Sequence, residues 1–267
     1  MSESLIMVER VWLPSVKTRA VVVLVHGFGE HVGRYSQWAE SLNSFGVAVY
    51  GYDQRGFGQS QDIPAYVDHF SDYTDDLKVY LASVHQREEG LPLFLLGHSM
   101  GGTVAARFVE TYQPALAWLI LSAPYLKDRS IPSLASPLVG ALAAVLPRQP
   151  TIRLNPKAVS RDPRAVERYN KDPLVFHGRI PARTGSEMLK AGQAALNEAE
   201  KINLPLLVLQ GQSDRLVDPK GAATLFGRAQ NPDKTLKIYP GLYHEVFFEP
   251  EGPEVLSDLK EWLEAHI

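Results

Sequence analysis

Cysteine is absent from the 267 residues of the chain. Its absence excludes disulfide bonds, a catalytic thiolate and metal sites built from cysteine. Residues 1–10 also lack the basic segment and the longer apolar segment of a secretory signal peptide, so we expect the protein in the cytoplasm. No uninterrupted apolar run is long enough to cross a bilayer, which argues against a membrane-spanning helix.

The chain also lacks an excess of charge of either sign. It has 27 Lys and Arg residues against 30 Asp and Glu residues, a formal net charge of −3, which gives no reason to expect a nucleic-acid partner. Internal repeats and low-complexity segments are lacking too. What remains is an ordinary globular composition, with 45% hydrophobic residues, and a length that allows one large α/β domain or two small ones.

Short apolar segments alternate with helix-compatible segments along most of the chain. The segment Val-Val-Val-Leu-Val at 21–25 is typical of a strand buried on both faces of a parallel sheet. Further candidate strands lie at 5–12, 47–50, 92–96, 118–122, 205–210 and 236–239, with candidate helices at 34–45, 72–88 and 255–263. This alternation predicts an α/β fold with a mostly parallel, doubly wound sheet.

Residues 125–199 break the alternation, because they contain proline and short helical segments but no convincing strand. We predict that this region is a helical cap, or lid, inserted over the carboxyl edge of the sheet, and that 1–124 and 200–267 form the core. Within the cap, apolar residues recur at helical spacing, namely Leu134, Leu138, Val139, Leu142, Val145 and Leu146. Two interpretations remain open. The helix is buried in the cap's own core, or it has a function, either as an apolar wall for an acyl chain or as a face that dips into a membrane surface.

A glycine-flanked serine follows the candidate strand at 92–96. Residues 97–101 read Gly-His-Ser-Met-Gly and lead directly into the helix-compatible segment 103–109. This strand–turn–helix context is typical of a nucleophile elbow, in which a tight turn projects the serine hydroxyl above the sheet and the neighbours must be nearly free of side chains. We therefore predict that Ser99 is a nucleophile. The alternative is a glycine-rich turn whose serine has no chemical function.

A serine hydroxyl becomes nucleophilic only when a base removes its proton, and on such elbow folds the acid and then the histidine follow the serine in the chain. Of the 8 histidines, only His244 and His266 follow the candidate strand at 205–210. His266 is the penultimate residue, where chains commonly fray, so His244 is the predicted base. The alternative for His244 is a loop histidine bonded to the backbone.

Two aspartates are candidates for the acid that orients this base. Asp218 precedes Pro219 and a helical segment, which is the pattern of a helix N-cap. Asp214 lies in the turn after the strand at 205–210 and has no such local task. We therefore favour Asp214 as the third member of the triad, with Asp218 as the alternative.

Acyl transfer also needs N–H donors for the oxyanion. The backbone N–H of Met100, next to the nucleophile, is one candidate. The second is the N–H of Phe28, since Gly27 and Gly29 on either side allow close approach of the loop after the strand at 21–25.

The same loop has a weak resemblance to a dinucleotide-binding pattern, with Gly27, Gly29, Gly33 and a later Asp53. The third glycine stands one position too late, and no Tyr-x-x-x-Lys pair accompanies it. Phosphate-binding Gly-x-x-x-x-Gly-Lys and zinc-binding His-Glu-x-x-His patterns are missing as well. We therefore expect no cofactor and no metal, and expect Asp53 and Arg55 to brace a turn.

With these residues assigned, the chain resembles the serine α/β-hydrolases, and among them the monoacylglycerol lipases and lysophospholipases. The resemblance runs nearly end to end and includes part of the cap. The matching stretches are His-Gly-Phe-Gly-Glu-His at 26–31, Gly-Arg-Tyr at 33–35, Asp-Gln-Arg-Gly-Phe-Gly-Gln-Ser at 53–60, Gly-His-Ser-Met-Gly-Gly at 97–102, Ser-Arg-Asp at 160–162, Tyr-Asn-Lys-Asp-Pro-Leu at 169–174, Leu-Gln-Gly at 209–211, Asp-Arg-Leu at 214–216, Lys-Thr-Leu-Lys-Ile-Tyr at 234–239 and Tyr-His at 243–244.

This resemblance implies an α/β-hydrolase fold and an esterase that cleaves monoacylglycerols to fatty acid and glycerol through an acyl-enzyme. It implies a cap that forms an acyl tunnel and touches membranes, and it places Glu30, Arg34 and Tyr169 near the glycerol end of the substrate. The structural alternative is that Glu30 and Arg34 pair across a turn and Tyr169 packs the cap. One departure is Phe247, where animal members of the family carry a polar residue.

Other functions remain as alternatives at this point. The substrate could be a lysophospholipid or a small ester, which would make the chain a lysophospholipase or a general carboxylesterase. In a different class, the chain could be a non-catalytic ligand sensor on a hydrolase fold. The acyl preference and the oligomeric state have no signal in the sequence.

Overall fold

The computed structural model describes residues 7–129 and 136–267. Within these residues, seven strands form one sheet in the order β1-β3-β2-β4-β5-β6-β7. They are β1 (Glu9–Trp12), β2 (Ala20–Val25), β3 (Val47–Tyr52), β4 (Leu93–His98), β5 (Trp118–Ser122), β6 (Leu206–Gly211) and β7 (Lys234–Tyr239). Only β1 pairs antiparallel, with β3, so the predicted mostly parallel α/β sheet is confirmed. The strand predicted at 5–12 begins at Glu9, and its residues 5 and 6 lie outside the described residues.

Helices cover both faces of this sheet, which makes it doubly wound. They are α1 (Ser36–Asn43), α2 (Ser71–Arg87), α3 (Met100–Tyr112), α4 (Ser136–Val145), α5 (Pro163–Lys171), α6 (Ala182–Asn197), α7 (Pro219–Arg228) and α8 (Gly252–Glu264). Because side chains alternate along a strand, Val23 faces the core under α2, α3, α6 and α7, while Val22 and Leu24 face the core under α1 and α8. Complete burial on both faces explains why the central strands read as continuous apolar runs.

The segment between β5 and β6 holds α4, α5 and α6 together with short 3₁₀ turns at Pro156–Ala158 and Ala199–Lys201. Its described residues form isolated bridges, Asp128 with Val217 and Pro150 with Pro181, but no strand. Helix α6 packs against both α4 and α3, so it joins this segment to the core. The division into a core of 1–124 and 200–267 and a cap of 125–199 stays a prediction.

The apolar face of helix α4 is only partly covered by the rest of the protein. Leu138, Val145 and Leu146 are 75%, 77% and 52% exposed. Val139 and Leu142 border a cavity, and Leu142 is still 37% exposed. Burial of the whole stretch in a cap core is therefore wrong, because Leu138, Val145 and Leu146 are exposed. Leu134 lies outside the described residues. No helix within 7–129 and 136–267 combines the length and the apolar character needed to cross a membrane.

Close packing around the turn after β4 depends on glycine. A Cβ atom at Gly101 would overlap the carbonyl oxygens of Val25 and His26, and one at Gly97 would overlap the backbone of Gly101. Helix α3 can therefore approach β2 and β4 only because these two residues carry no side chain.

We expect Gly101→Ala to lower the free energy of unfolding by about 1–3 kcal/mol, the usual cost of overpacking a core. The matched control is Gly140→Ala in α4, where an added Cβ would meet nothing within 4 Å. There, alanine raises stability by up to about 1 kcal/mol through helix propensity. Urea unfolding of both variants measures the difference, and equal midpoints would contradict the packing argument.

Candidate active site

Ser99 lies at the turn between β4 and α3 in a strained backbone conformation. Its φ of 52° and ψ of −119° fall where a residue other than glycine is rarely found. Two backbone hydrogen bonds hold it there: its N–H donates to the Ser122 carbonyl at 2.9 Å, and its carbonyl accepts from the Tyr125 N–H at 2.9 Å. The turn has the geometry of a nucleophile elbow.

The structure brings Ser99, His244 and Asp214 together from three separate parts of the chain. Ser99 Oγ and His244 Nε2 are 2.8 Å apart, and His244 Nδ1 and Asp214 Oδ2 are also 2.8 Å apart. The other carboxylate oxygen of Asp214 accepts the N–H groups of Leu216 and Val217 at 2.8 and 3.0 Å. The aspartate is therefore fixed on both oxygens, and it can fix the imidazole in turn.

The alternative acid, Asp218, has a different function in the structure. Its carboxylate caps the N-terminus of α7 by accepting the N–H of Lys220, and it forms an ion pair with Lys127 at 2.8 Å. It is bonded to neither Ser99 nor His244 among the described residues.

Burial and charge together set the protonation of the site. Burial disfavours the imidazolium form of His244, but the Asp214 carboxylate outweighs it, so the pKa of His244 is raised above its ordinary value. Burial likewise raises the pKa of Asp214, but the imidazole and the two N–H donors outweigh it and lower that pKa overall. In the neighbouring His98, whose ring centre lies 5.0 Å from that of His244, burial lowers the pKa to about 4 and keeps the ring neutral.

The two predicted oxyanion donors lie on either side of Ser99. Met100 is the first residue of α3, and a Cβ at Gly27 would lie 3.1 Å from the Ser99 Cβ, so the Phe28 loop passes close to the nucleophile. Neither N–H donates to another of the described residues. The Phe28 ring holds the loop by packing edge to face against Phe57, with ring centres 5.1 Å apart.

Asp53, the residue that a dinucleotide site would use, instead braces the loop after β2. One of its carboxylate oxygens accepts the Val32 N–H and the other accepts the Gln59 N–H, both at 2.9 Å. Arg55 forms two hydrogen bonds of 2.6 Å with Asp76 on α2. Among the described residues, no group of three or more His, Asp or Glu side chains is arranged to hold a metal ion.

A partly open cavity of about 540 Å³ borders Ser99 and His244. Its walls come mainly from the segment between β5 and β6 and are mostly apolar. The apolar lining includes Val139, Leu142, Leu154, Ile180, Met188 and Leu216. The cavity matches the usual size and apolar character of a small-molecule site.

The three residues assigned to the glycerol end take different positions. Glu30 and Tyr169 border the cavity, whereas Arg34 lies behind them. The Arg34 guanidinium lies over the rings of Tyr169 and Phe248, 4.9 and 4.8 Å from their centres. Its Nη1 atom donates to Glu30 at 2.6 Å, so the pairing across a turn that the sequence left open is present.

Glu245, which the sequence analysis missed, completes this charged cluster. Both of its carboxylate oxygens accept from Arg34 at 2.7 Å. Only its place beside His244 could have drawn attention to it, because Arg34 is 211 residues away in the sequence. Burial raises the pKa of Glu30, but Arg34 outweighs it and lowers that pKa to about 2. Phe247, the departure from animal relatives, packs against Trp38 rather than lining the cavity.

Comparison with known proteins places these features in a family. A family model described as "Serine aminopeptidase, S33" matches residues 16–251. A monoacylglycerol lipase of Mycolicibacterium smegmatis is 37% identical over 261 residues, which cover 96% of this chain and 92% of that one.

Two solved structures are similar over nearly their whole length. The monoacylglycerol lipase of Paleococcus ferrophilus is 34% identical, has a TM-score of 0.88 and matches 98% of this chain and 99% of its own. The second structure is a soluble variant of the monoglyceride lipase of Saccharomyces cerevisiae in complex with a substrate analogue. It is 25% identical, has a TM-score of 0.89, and the match covers 99% of this chain and 93% of that one. The predicted α/β-hydrolase fold is thus confirmed.

The raised pKa of His244 predicts how the reactivity of Ser99 depends on pH. Only a neutral imidazole can accept the serine proton, so labelling by a fluorophosphonate should be lost as the pH falls through a midpoint above about 6.5, the ordinary pKa of histidine. Asp214→Asn should move that midpoint down and slow labelling by about 10⁴-fold, because the imidazole loses its charge partner and its orientation. Asp218→Asn, which keeps a helix cap, is the matched control and should leave the midpoint unchanged.

Proposed function

The chain belongs to the hydrolase family described as "Serine aminopeptidase, S33", and we propose that it cleaves the ester bond of monoacylglycerols to a fatty acid and glycerol. It is a carboxylic-ester hydrolase, as are the monoacylglycerol lipases that it resembles over most of its length. The observation that carries the proposal is the hydrogen-bonded series Asp214–His244–Ser99 opening onto an apolar cavity. Apolar walls suit an acyl chain.

The proposed reaction begins with the Ser99 hydroxyl. Its oxygen attacks the ester carbonyl carbon while His244 Nε2, 2.8 Å away, takes its proton. Asp214 holds the imidazole with Nδ1–H donating to the carboxylate and stabilises the imidazolium that forms. The N–H groups of Phe28 and Met100 stabilise the oxyanion of the tetrahedral intermediate.

The intermediate collapses when His244 returns the proton to the leaving glycerol oxygen, which leaves an acyl ester on Ser99. Water then attacks the same carbonyl carbon and gives a proton to His244. Release of the fatty acid restores the Ser99 hydroxyl and the neutral imidazole. Atoms and charge balance over the two steps without a cofactor.

We propose that the leaving alcohol binds at the polar side of the cavity, which Glu30 and Tyr169 form. The Tyr169 hydroxyl bonds to no other described residue, so it is available to a substrate hydroxyl. Arg34 does not border the cavity and would act on the alcohol through Glu30, which it holds at 2.6 Å. This arrangement supports the assignment of Glu30, Arg34 and Tyr169 to the glycerol end.

We also propose that the protein is cytoplasmic and that its cap contacts a membrane surface. The exposed Leu138 and Val145 on α4 offer apolar contact, and Leu142 on the same face of the helix borders the cavity. Charge also favours contact between the cap and an anionic membrane surface. Residues 125–199 contain 12 Lys and Arg against 6 Asp and Glu, whereas the whole chain contains 27 against 30. Arg153 and Arg215 are exposed at the cavity and form no ion pair with a described residue.

Ser99→Ala should lower the turnover of monoacylglycerols by several orders of magnitude while the unfolding midpoint stays close to that of the parent. Release of fatty acid from monoacylglycerols, lysophospholipids and short nitrophenyl esters measures activity and substrate class together. Retained turnover in Ser99→Ala would contradict the mechanism. Preference for a lysophospholipid or for the short esters would instead favour the corresponding alternative substrate.

The double variant Leu138→Ser, Val145→Ser should weaken binding to vesicles of phosphatidylcholine and phosphatidylglycerol by more than about tenfold, since burying each side chain contributes roughly 1.5–3 kcal/mol. Vesicle co-sedimentation measures the effect. The matched control is Val79→Ser, which removes a similarly exposed apolar side chain from α2. Equal binding by all three proteins would contradict the assignment of α4 to the membrane surface.

A further inference from the structure

Two loops carry different parts of the catalytic apparatus, and a buried ion network joins them. The loop after β2 carries Phe28, and the loop after β7 carries His244. The two loops are separated by more than 200 residues of sequence, yet Arg34 and Glu245, 211 residues apart, form two hydrogen bonds. The function proposed above does not use Glu245.

The network links Glu245, Arg34 and Glu30 in series. Glu245 accepts from Nη1 and Nη2 of Arg34, each at 2.7 Å, so the contact is bidentate. Nη1 of Arg34 also donates to Glu30 Oε2 at 2.6 Å. Glu30 Oε1 in turn accepts the backbone N–H of Gly27 at 2.6 Å and the hydroxyl of Tyr35 at 2.8 Å. A continuous series of short contacts thus runs from the neighbour of His244 to the neighbour of Phe28.

All three charged side chains of this network are more than nine-tenths buried, with 8%, 3% and 4% exposure for Arg34, Glu30 and Glu245. At such burial a carboxylate without a partner is very costly, so the geometry that pairs them is strongly preferred over any other. A planar guanidinium bonded to both oxygens of a carboxylate also fixes orientation, which a single contact would not do.

From this geometry we infer that Glu245 is a positioning residue for catalysis: through Arg34 and Glu30 it fixes the loop of the base, His244, relative to the loop of the oxyanion donor, Phe28. Misplacement of reacting groups by about 1 Å can cost up to about 10²-fold in rate, so a connection between the two loops bears directly on turnover. The inference rests on the proposed hydrolase chemistry of Ser99.

The network also sets charge around the base. The ionisable groups that face His244 are Asp214, Glu245, Glu30 and the ring of His98. Burial lowers the pKa of His244, and Asp214, Glu245 and Glu30 each raise it, with Asp214 contributing most. Removing the charge of Glu245 therefore lowers the pKa of the base, an effect that a purely structural ion pair far from the site would not have.

The test compares Glu245→Gln with the parent on a short nitrophenyl ester, whose leaving group is not glycerol. The glutamine keeps the shape of the side chain but loses the charge and one acceptor. We expect kcat to fall by about 10- to 100-fold, because the two loops lose their fixed relation. KM should change by much less, and the acid-side midpoint of the kcat/KM profile should move to lower pH.

The matched control is Asp76→Asn, which breaks another bidentate pair, with Arg55 at 2.6 Å, away from the cavity. It should lower the unfolding midpoint and leave kcat and the pH profile unchanged. Glu245→Asp keeps the charge on a shorter side chain, so it should restore the pH midpoint of the parent while kcat stays reduced. This variant also provides the test if Glu245→Gln does not fold.

A Glu245→Gln variant that changes only in its unfolding midpoint, with the parent's kcat and pH profile, would overturn the inference. So would a Glu245→Asp variant with the turnover of the parent. Failure of the proposed function would look different, because the parent protein itself would then neither hydrolyse the nitrophenyl ester nor react at Ser99 with a fluorophosphonate.

Discussion

The strained backbone of Ser99 is the constraint on which the rest of the site depends. Such a conformation costs on the order of 1–3 kcal/mol, and it persists because the turn is bonded to Ser122 and Tyr125 on the adjoining strand and loop. Gly97 and Gly101 let α3 approach the sheet closely enough to keep it there. The hydroxyl is thereby held at the carboxyl edge of the sheet, where the loops carrying Asp214 and His244 also emerge.

Much of this arrangement could be predicted from sequence because it depends on local patterns. Burial of the central strands on both faces produces apolar runs that mark their positions to within two or three residues. The Gly-His-Ser-Met-Gly turn carries its own geometric requirement, and chain order leaves few histidines to consider. Asp214 and Asp218 could be separated because a helix cap has a sequence signature.

Contacts between residues far apart in sequence left no such pattern. Glu245 follows His244 in a loop, and nothing in the sequence pairs it with Arg34, so the buried network was missed. The same limit applies to Arg34, whose place behind the cavity wall rather than at it depends on how two distant loops pack. The surroundings of α4 were left open because an apolar helix reads alike whether it faces protein or an outer surface.

On helix α4, Leu142 borders the cavity, and the exposed Leu138 and Val145 lie one turn away on the same face of the helix. A substrate that passes from a bilayer along this apolar face into the cavity exchanges one hydrocarbon environment for another and gains little from each additional methylene. A substrate taken from dilute aqueous solution gains about 0.8 kcal/mol per methylene buried. Chain-length selectivity measured with dispersed monomers would then exceed the selectivity of the same enzyme on lipid vesicles. The free energy gained per methylene depends on whether the acyl chain leaves water or a bilayer.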